Sequence, residues 1–99
     1  MNVRLSEFEI NAIKSTAYEI FGKNSKIILF GSRANPNKKG GDIDLLIIPE
    51  KKDNLFEKKI KFLARTKMKI GEQKIDLILY KDGRSEIEKE ALKNGVELL

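Results

Sequence analysis

The chain has 99 residues, 40% of them hydrophobic and 35% charged, with a formal net charge of +5. That length suits one domain, 1–99, with a modest core, and mixed charge on a regular apolar pattern argues for a folded globule rather than disorder. Cysteine and histidine are both absent, which excludes disulfides, thiolate nucleophiles, cysteine-bound zinc or iron–sulfur clusters, and every imidazole role in catalysis or metal binding. Any metal must then be held by oxygen, which points to magnesium or manganese. Residues 1–9 lack the apolar centre of a signal peptide, and no apolar run approaches membrane-spanning length. A cytoplasmic protein with no membrane partner is therefore expected.

Ser6 and Glu9 have capping-box spacing and predict a helix over 6–21, with Leu5 and Ile10 placed as a hydrophobic staple. Leu5, Phe8, Ala12, Ile13, Ala17, Ile20 and Phe21 recur at helical spacing and form its expected inner face. Gly22 is placed to close it. Lys26–Phe30 reads as a buried strand. Residues 31–41 read as a polar loop containing Pro36, Gly40 and Gly41, with room for a short helical turn after Ser32. Residues 43–48 form a second strand, stopped by Pro49.

Asp53 is placed to cap a second helix over 54–68, with Leu55, Phe56, Ile60, Phe62, Leu63 and the following Ile70 turned inward. Residues 75–80 read as a third strand, followed by a turn at Asp82-Gly83. Ser85 and Glu88 repeat the capping-box spacing and open a short helix with Ile87, Ala91 and Leu92 inward. Lys89 and Lys93 complement the dipole at its end. The tail 96–99 is apolar and is free to pack on the sheet or on a partner. The order helix, strand, strand, helix, strand, helix predicts an α/β (α+β) fold: a small mixed β-sheet flanked by helices.

The positive excess is concentrated. Residues 51–74 carry nine basic and three acidic side chains. Such a run is ordinarily a solvated helix face; the alternative is attraction to a nucleotide, to RNA or to another acidic partner.

The chemistry lies between the strands. Gly31-Ser32 ends the first apolar run, Asp42-Ile43-Asp44 opens the second, and Ile75-Asp76-Leu77 repeats the Ile-Asp-Leu pattern downstream. Carboxylates beside buried strands are costly unless compensated, so three of them ask for a cation. Side chains alternate along a strand, so Asp42 and Asp44 share a face about 7 Å apart while Ile43 and Leu45 face the core. The paired ions of a phosphoryl-transfer site lie about 3.5–4 Å apart. Two carboxylates at this spacing can grip them from one side, with Asp76 on an adjacent strand completing the ligands. Like charges raise one another's proton affinity. The site is thus expected to be incomplete without divalent metal, and metal is expected to stabilise the fold. Gly31 permits close backbone approach to a phosphate, and Ser32 adds a hydroxyl donor. A helix starting after Ser32 would add free N–H groups. Arg33 is the nearest fixed positive charge, able to face either phosphate or solvent. The alternative for Asp42, Asp44 and Asp76 is that they are solvated strand ends with no metal. Tyr18 and Tyr80 read as core or rim residues.

Taken together, Gly31-Ser32-Arg33-Ala34, Gly41-Asp42-Ile43-Asp44-Leu45 and Asp76 resemble the nucleotidyltransferase superfamily related to polymerase beta. More narrowly, they resemble the minimal nucleotidyltransferases, the small partners of HEPN-domain proteins in bacterial and archaeal two-gene modules. The likeness runs over nearly the whole chain, including the ending 89–96. It implies a palm-like fold and the transfer of a nucleoside monophosphate, AMP from ATP or the counterpart from another nucleoside triphosphate, to an acceptor hydroxyl, with pyrophosphate leaving. It implies that Asp42 and Asp44 hold two Mg2+ ions, with Mn2+ able to substitute. Asp76 would hold the catalytic ion and help activate the acceptor, and Gly31, Ser32 and Arg33 would bind the nucleotide. In the toxin–antitoxin members the acceptor is a tyrosine of the HEPN toxin, which is inactivated by adenylylation. The resemblance therefore implies a protein adenylyltransferase acting as antitoxin. Larger relatives carry extra acceptor-binding domains, so a HEPN-domain partner, or a homo-oligomer, is expected to complete the pocket. Two other readings stay open: a nucleotide-binding antitoxin that acts by contact alone, and a transferase acting on RNA or a small molecule.

Overall fold

A computed structural model describes residues 2–38 and 40–99; Met1 and, in the predicted loop, Lys39 lie outside them. The first helix, α1 (Glu7–Phe21), begins where the capping box predicts: Ser6 Oγ accepts from Glu9 N–H at 3.0 Å, and Glu9 Oε1 accepts from Ser6 N–H at 2.9 Å. Its buried stripe is Ile10, Ala12, Ile13, Thr16, Ala17, Ile20 and Phe21. Phe8, expected inside, is 65% exposed, because it projects from the flank of the helix away from Ile13 and Ala17.

Four strands follow in one sheet: β1 (Lys26–Phe30), β2 (Ile43–Ile48), β3 (Ile75–Leu79) and β4 (Val96–Glu97). Their spatial order is β3-β2-β1-β4, with β2 and β3 parallel and β1 antiparallel to both β2 and β4. The parallel pair needs a crossover, and α2 (Leu55–Ile70) supplies it. β4 settles the fate of the apolar tail: it joins the sheet, Leu98 N–H donates to Ile27 O at 2.8 Å, and Leu98 is buried.

The two sheet faces differ. Ile27, Leu29, Ile43, Leu45, Ile47, Ile75 and Leu77 point to one face and meet α1 and α2, with Phe21 and Phe62 packed at 5.9 Å between ring centroids. Ile28, Phe30, Leu46 and Ile78 point to the other and meet the shorter α3 (Glu86–Asn94) through Ala91.

Helix α2 departs from its expected inner face. Phe62 and Thr66 are the buried positions, while Phe56 and Ile60 are exposed, because only the stripe through Phe62 and Thr66 faces α1. Asp53 does not cap the helix. Asn54 takes that place in a left-handed conformation (φ 51°, ψ 42°) without a side-chain cap, and Asp53 Oδ1 instead accepts from Lys58 Nζ at 2.8 Å. In α3, Ile87 and Leu92 are exposed and Glu88 is buried beside Ala91. Among the described residues no helix is long and apolar enough to cross a membrane.

Candidate functional site

The strand register brings the acids together. Asp44, second in β2, stands opposite Phe30, the last residue of β1, and opposite Asp76, second in β3. Its neighbours Ile43 and Leu45 are fully buried on the α1/α2 face, so alternation sends the Asp44 and Asp76 carboxylates to the other one. That face is left open here because α3 covers only its middle, around Leu46 and Ala91. Asp44 is half-buried and Asp76 exposed.

The chain turns sharply on leaving β1. Gly31 has φ +73°, and a Cβ there would collide with Asp44 Oδ2; glycine alone lets the backbone lie against that carboxylate. Gly41, with φ +91°, stands in the same relation to Ser32 Oγ. The two glycines thus close the loop on itself, with Ser32 half-buried against Gly41. Gly31–Ala34 forms a single 3-10 turn. Four residues do not build the aligned N-terminal dipole that a longer helix after Ser32 would have offered.

Arg33 is committed to this scaffold. Its guanidinium donates to Arg4 O at 3.1 Å, Gly41 O at 3.3 Å and Gln73 Oε1 at 3.2 Å. Arg4 N–H returns a bond to Arg33 O at 2.8 Å, and Gln73 Nε2 donates to Glu9 Oε2 at 2.6 Å. Arg33 therefore ties the loop to the N-terminal segment and to the approach to β3.

Asp42 stands one residue before β2. Ile43 N–H donates to Lys74 O at 3.0 Å, which seats Lys74 Nζ 3.4 Å from Asp42 Oδ2. Burial, then the Asp76 carboxylate, raise the Asp44 carboxyl above its ordinary value of 3.8; Asp42 adds to the rise and Lys74 opposes it. A carboxyl so placed gains from any cation that enters.

The donors suit a hard divalent cation, being all oxygen. Asp44 and Asp76 form the adjacent pair, while Asp42 is engaged by Lys74 through an exposed ion pair of the kind that exchanges at little cost. As the side chains stand, no group of three acids among the described residues converges on one point.

A cleft of about 390 Å3 opens at the acids and wraps over the edge of β3, lined by Phe30, Asp44, Asp76, Ile78, Ile87 of α3, and Lys59 and Leu63 of α2. Lys59 and Lys74 are the neighbours that the sequence reading did not single out. Lys59 lies four residues before the apolar Leu63, but Lys58 stands in the same relation to Phe62, so no local signal separated Lys59 from the other lysines of its run.

The family model described as "Polymerase beta, Nucleotidyltransferase" matches residues 4–99, which takes in every residue of the site. No curated protein matches the chain.

Proposed function

The chain belongs to the polymerase beta nucleotidyltransferase family, whose members transfer nucleotidyl groups, and from that premise we propose that it moves a nucleoside monophosphate, AMP from ATP, onto a hydroxyl of a partner protein. The observation that carries this reading is the register pairing of Asp44 with Asp76 beside the Gly31 turn, where a carboxyl with raised proton affinity faces an open cleft.

Asp44 and Asp76, with Asp42 once it leaves Lys74, would hold the Mg2+ ions, which neutralise charge on the phosphates and on the leaving pyrophosphate. Gly31 and Ser32 bind the triphosphate through backbone and hydroxyl donors. Arg33 fixes the loop that carries them, so in this reading it contributes position rather than charge. Asp76, the exposed member on the outer strand, accepts the proton of the attacking hydroxyl. The acceptor oxygen then bonds to the α-phosphorus, the bond from that phosphorus to the bridging α–β oxygen breaks, and pyrophosphate departs. Most of the gain comes from holding the reactants in line.

The partner we propose is a HEPN-domain toxin whose tyrosine is adenylylated, which would make this chain its antitoxin. The resemblance of the site motifs supports that partner. A contact-only antitoxin has one observation in its favour: the Lys74 ammonium already satisfies Asp42.

The test incubates the protein and its co-purifying or genetically adjacent partner with magnesium and α-phosphate-labelled ATP, beside the double variant Asp42→Asn/Asp44→Asn. Label on the partner that vanishes with the variant is the expected result. Neutralisation of the partner that survives the double variant, with the complex intact, would establish contact alone.

A further inference from the structure

The charged side chains of β2 and β3 stand in two rows. Asp44 is opposite Asp76 in the register; the step before, Ile43 opposite Ile75, is preceded by Asp42 and Lys74. Ile75 and Leu77 are buried on the α1/α2 face. Alternation therefore carries the Lys74 side chain to the face of Asp76, about 7 Å back along the strand. It is found there, with Lys74 Nζ 3.4 Å from Asp42 Oδ2. Its charge also reaches Asp44, where it opposes the rise in proton affinity. Among the described residues no other cation is in ion-pair contact with a site acid.

The backbone of Lys74 is fixed and its side chain is not. The carbonyl accepts from Ile43 N–H at 3.0 Å, whereas the side chain is 69% exposed and touches only Asp42. An exposed pair of this kind exchanges at little cost, and the flexible four-carbon stem lets the ammonium move while the strand stays in place. Arg33 is not free to supply charge, since its donors are engaged by Arg4 O, Gly41 O and Gln73 Oε1. Divalent ions alone leave the site short of positive charge. A bound triphosphate largely neutralises them, and three carboxylates then face phosphate oxygens across a cleft where such repulsion is poorly screened.

Resting on the reading above, we infer that Lys74 is an exchangeable cation, which holds Asp42 while the site lacks metal and passes to the β- and γ-phosphates of the nucleoside triphosphate once metal takes Asp42. The geometry selects those phosphates. In this reading the reacting phosphate and the acceptor belong to the row of Asp44 and Asp76, and Lys74 stands one row away. Ser32 lies on the same side as Lys74, because Gly41, directly before Asp42, packs against its Oγ. The hydroxyl and the ammonium can thus hold the departing end of the triphosphate between them, and the ammonium offsets the charge that collects there as pyrophosphate leaves.

The test uses the full chain and two titrations that involve no transfer: Mn2+ alone, followed by electron paramagnetic resonance, and ATP or AMP at saturating Mg2+, followed by calorimetry. Lys74→Gln removes the charge from an exposed side chain and keeps the backbone bond to Ile43. It should bind Mn2+ alone about two to five times more tightly, because the competitor for Asp42 is gone. It should bind ATP at least about ten times more weakly, because a charged contact is lost, with AMP little changed. Lys74→Arg should restore the parental affinity for ATP. Loss of Mn2+ and ATP together would make Lys74 structural, and tighter binding of both would make it a competitor only. Equal losses for ATP and AMP, or parental behaviour of Lys74→Gln in both titrations, overturn the inference as well. A parent chain that binds neither Mn2+ nor ATP overturns it together with the proposed function. Label on a partner without the opposite shifts overturns the exchange and leaves the transfer standing; the shifts without label do the reverse.

Discussion

Two carboxylates on the same side of the molecule show opposite ways of placing an acid against a sheet. Glu88 of α3 accepts from Lys81 N–H at 2.8 Å, Gly83 N–H at 3.1 Å, and both Ser85 N–H and Ser85 Oγ, at 3.3 and 2.7 Å. These bonds, that from Lys81 first, bring its carboxyl down to about 2. Among the described residues Asp44 has no such donors. Burial and two other carboxylates push it up. The first acid is completed by its own chain and serves as a staple for the turn after β3. The second is completed only by something from outside, and a fold that keeps such a group retains it at a cost to stability.

The largest expected effect separates the two on activity. Asp42→Asn/Asp44→Asn should lower nucleotidyl transfer by more than about 100-fold, since outer-shell partners of metal ligands alone are worth 10–100-fold. The same variant should be no less stable than the parent in metal-free buffer, as read from urea denaturation. A clear loss of stability would place these acids with Glu88 as structural.

Next comes the cation. Magnesium with ATP at about 100 times the apparent Kd should stabilise the parent by about 2.7 kcal/mol, with no gain in the double variant. Equal thermal stability with and without these ligands would make Asp42, Asp44 and Asp76 plain strand ends.

Gly31→Ala tests the contact between the turn and Asp44. A side chain at φ +73° that also meets Asp44 Oδ2 should cost about 1–3 kcal/mol and weaken nucleotide binding, measured by denaturation and by titration with ATP.

The smallest effects lie in the pH profiles, and they run in opposite directions. Glu88 binds its proton less tightly when folded. Its contribution is complete above its ordinary value of 4.5 and is lost as pH falls towards about 2; Glu88→Gln should flatten that limb of the stability curve. Asp44 binds its proton more tightly when folded. Its contribution favours the fold at low pH and is lost as pH rises upward from 3.8; Asp44→Asn should remove that loss. Thermal denaturation of both variants between pH 2 and pH 7 checks the signs.

Much of this was readable from local chemistry. The capping boxes at Ser6 and Ser85, the apolar runs of β1, β2 and β3, and the Gly-Ser and Ile-Asp-Leu motifs each depend on residues close in the chain. Caps and two-residue alternation act over that range, so the elements and the matched position of Asp44 and Asp76 within their strands follow from the sequence. The inner faces of α2 and α3 were less legible. Both helices touch the body along a narrow stripe, and apolar residues such as Phe56, Ile60 and Ile87 lie beside it rather than on it.

The sequence by itself therefore determined that no imidazole or thiol of this chain takes part in any chemistry, and that acids open two similar strands. Only the tertiary structure decided that β2 and β3 lie side by side in a register that joins Asp44 to Asp76. It also decided that Arg33 anchors the loop, that Lys74 holds Asp42, and that residues 96–97 close one edge of the sheet. Strand order, register and the direction of a long side chain depend on partners distant in the chain, which no local pattern encodes.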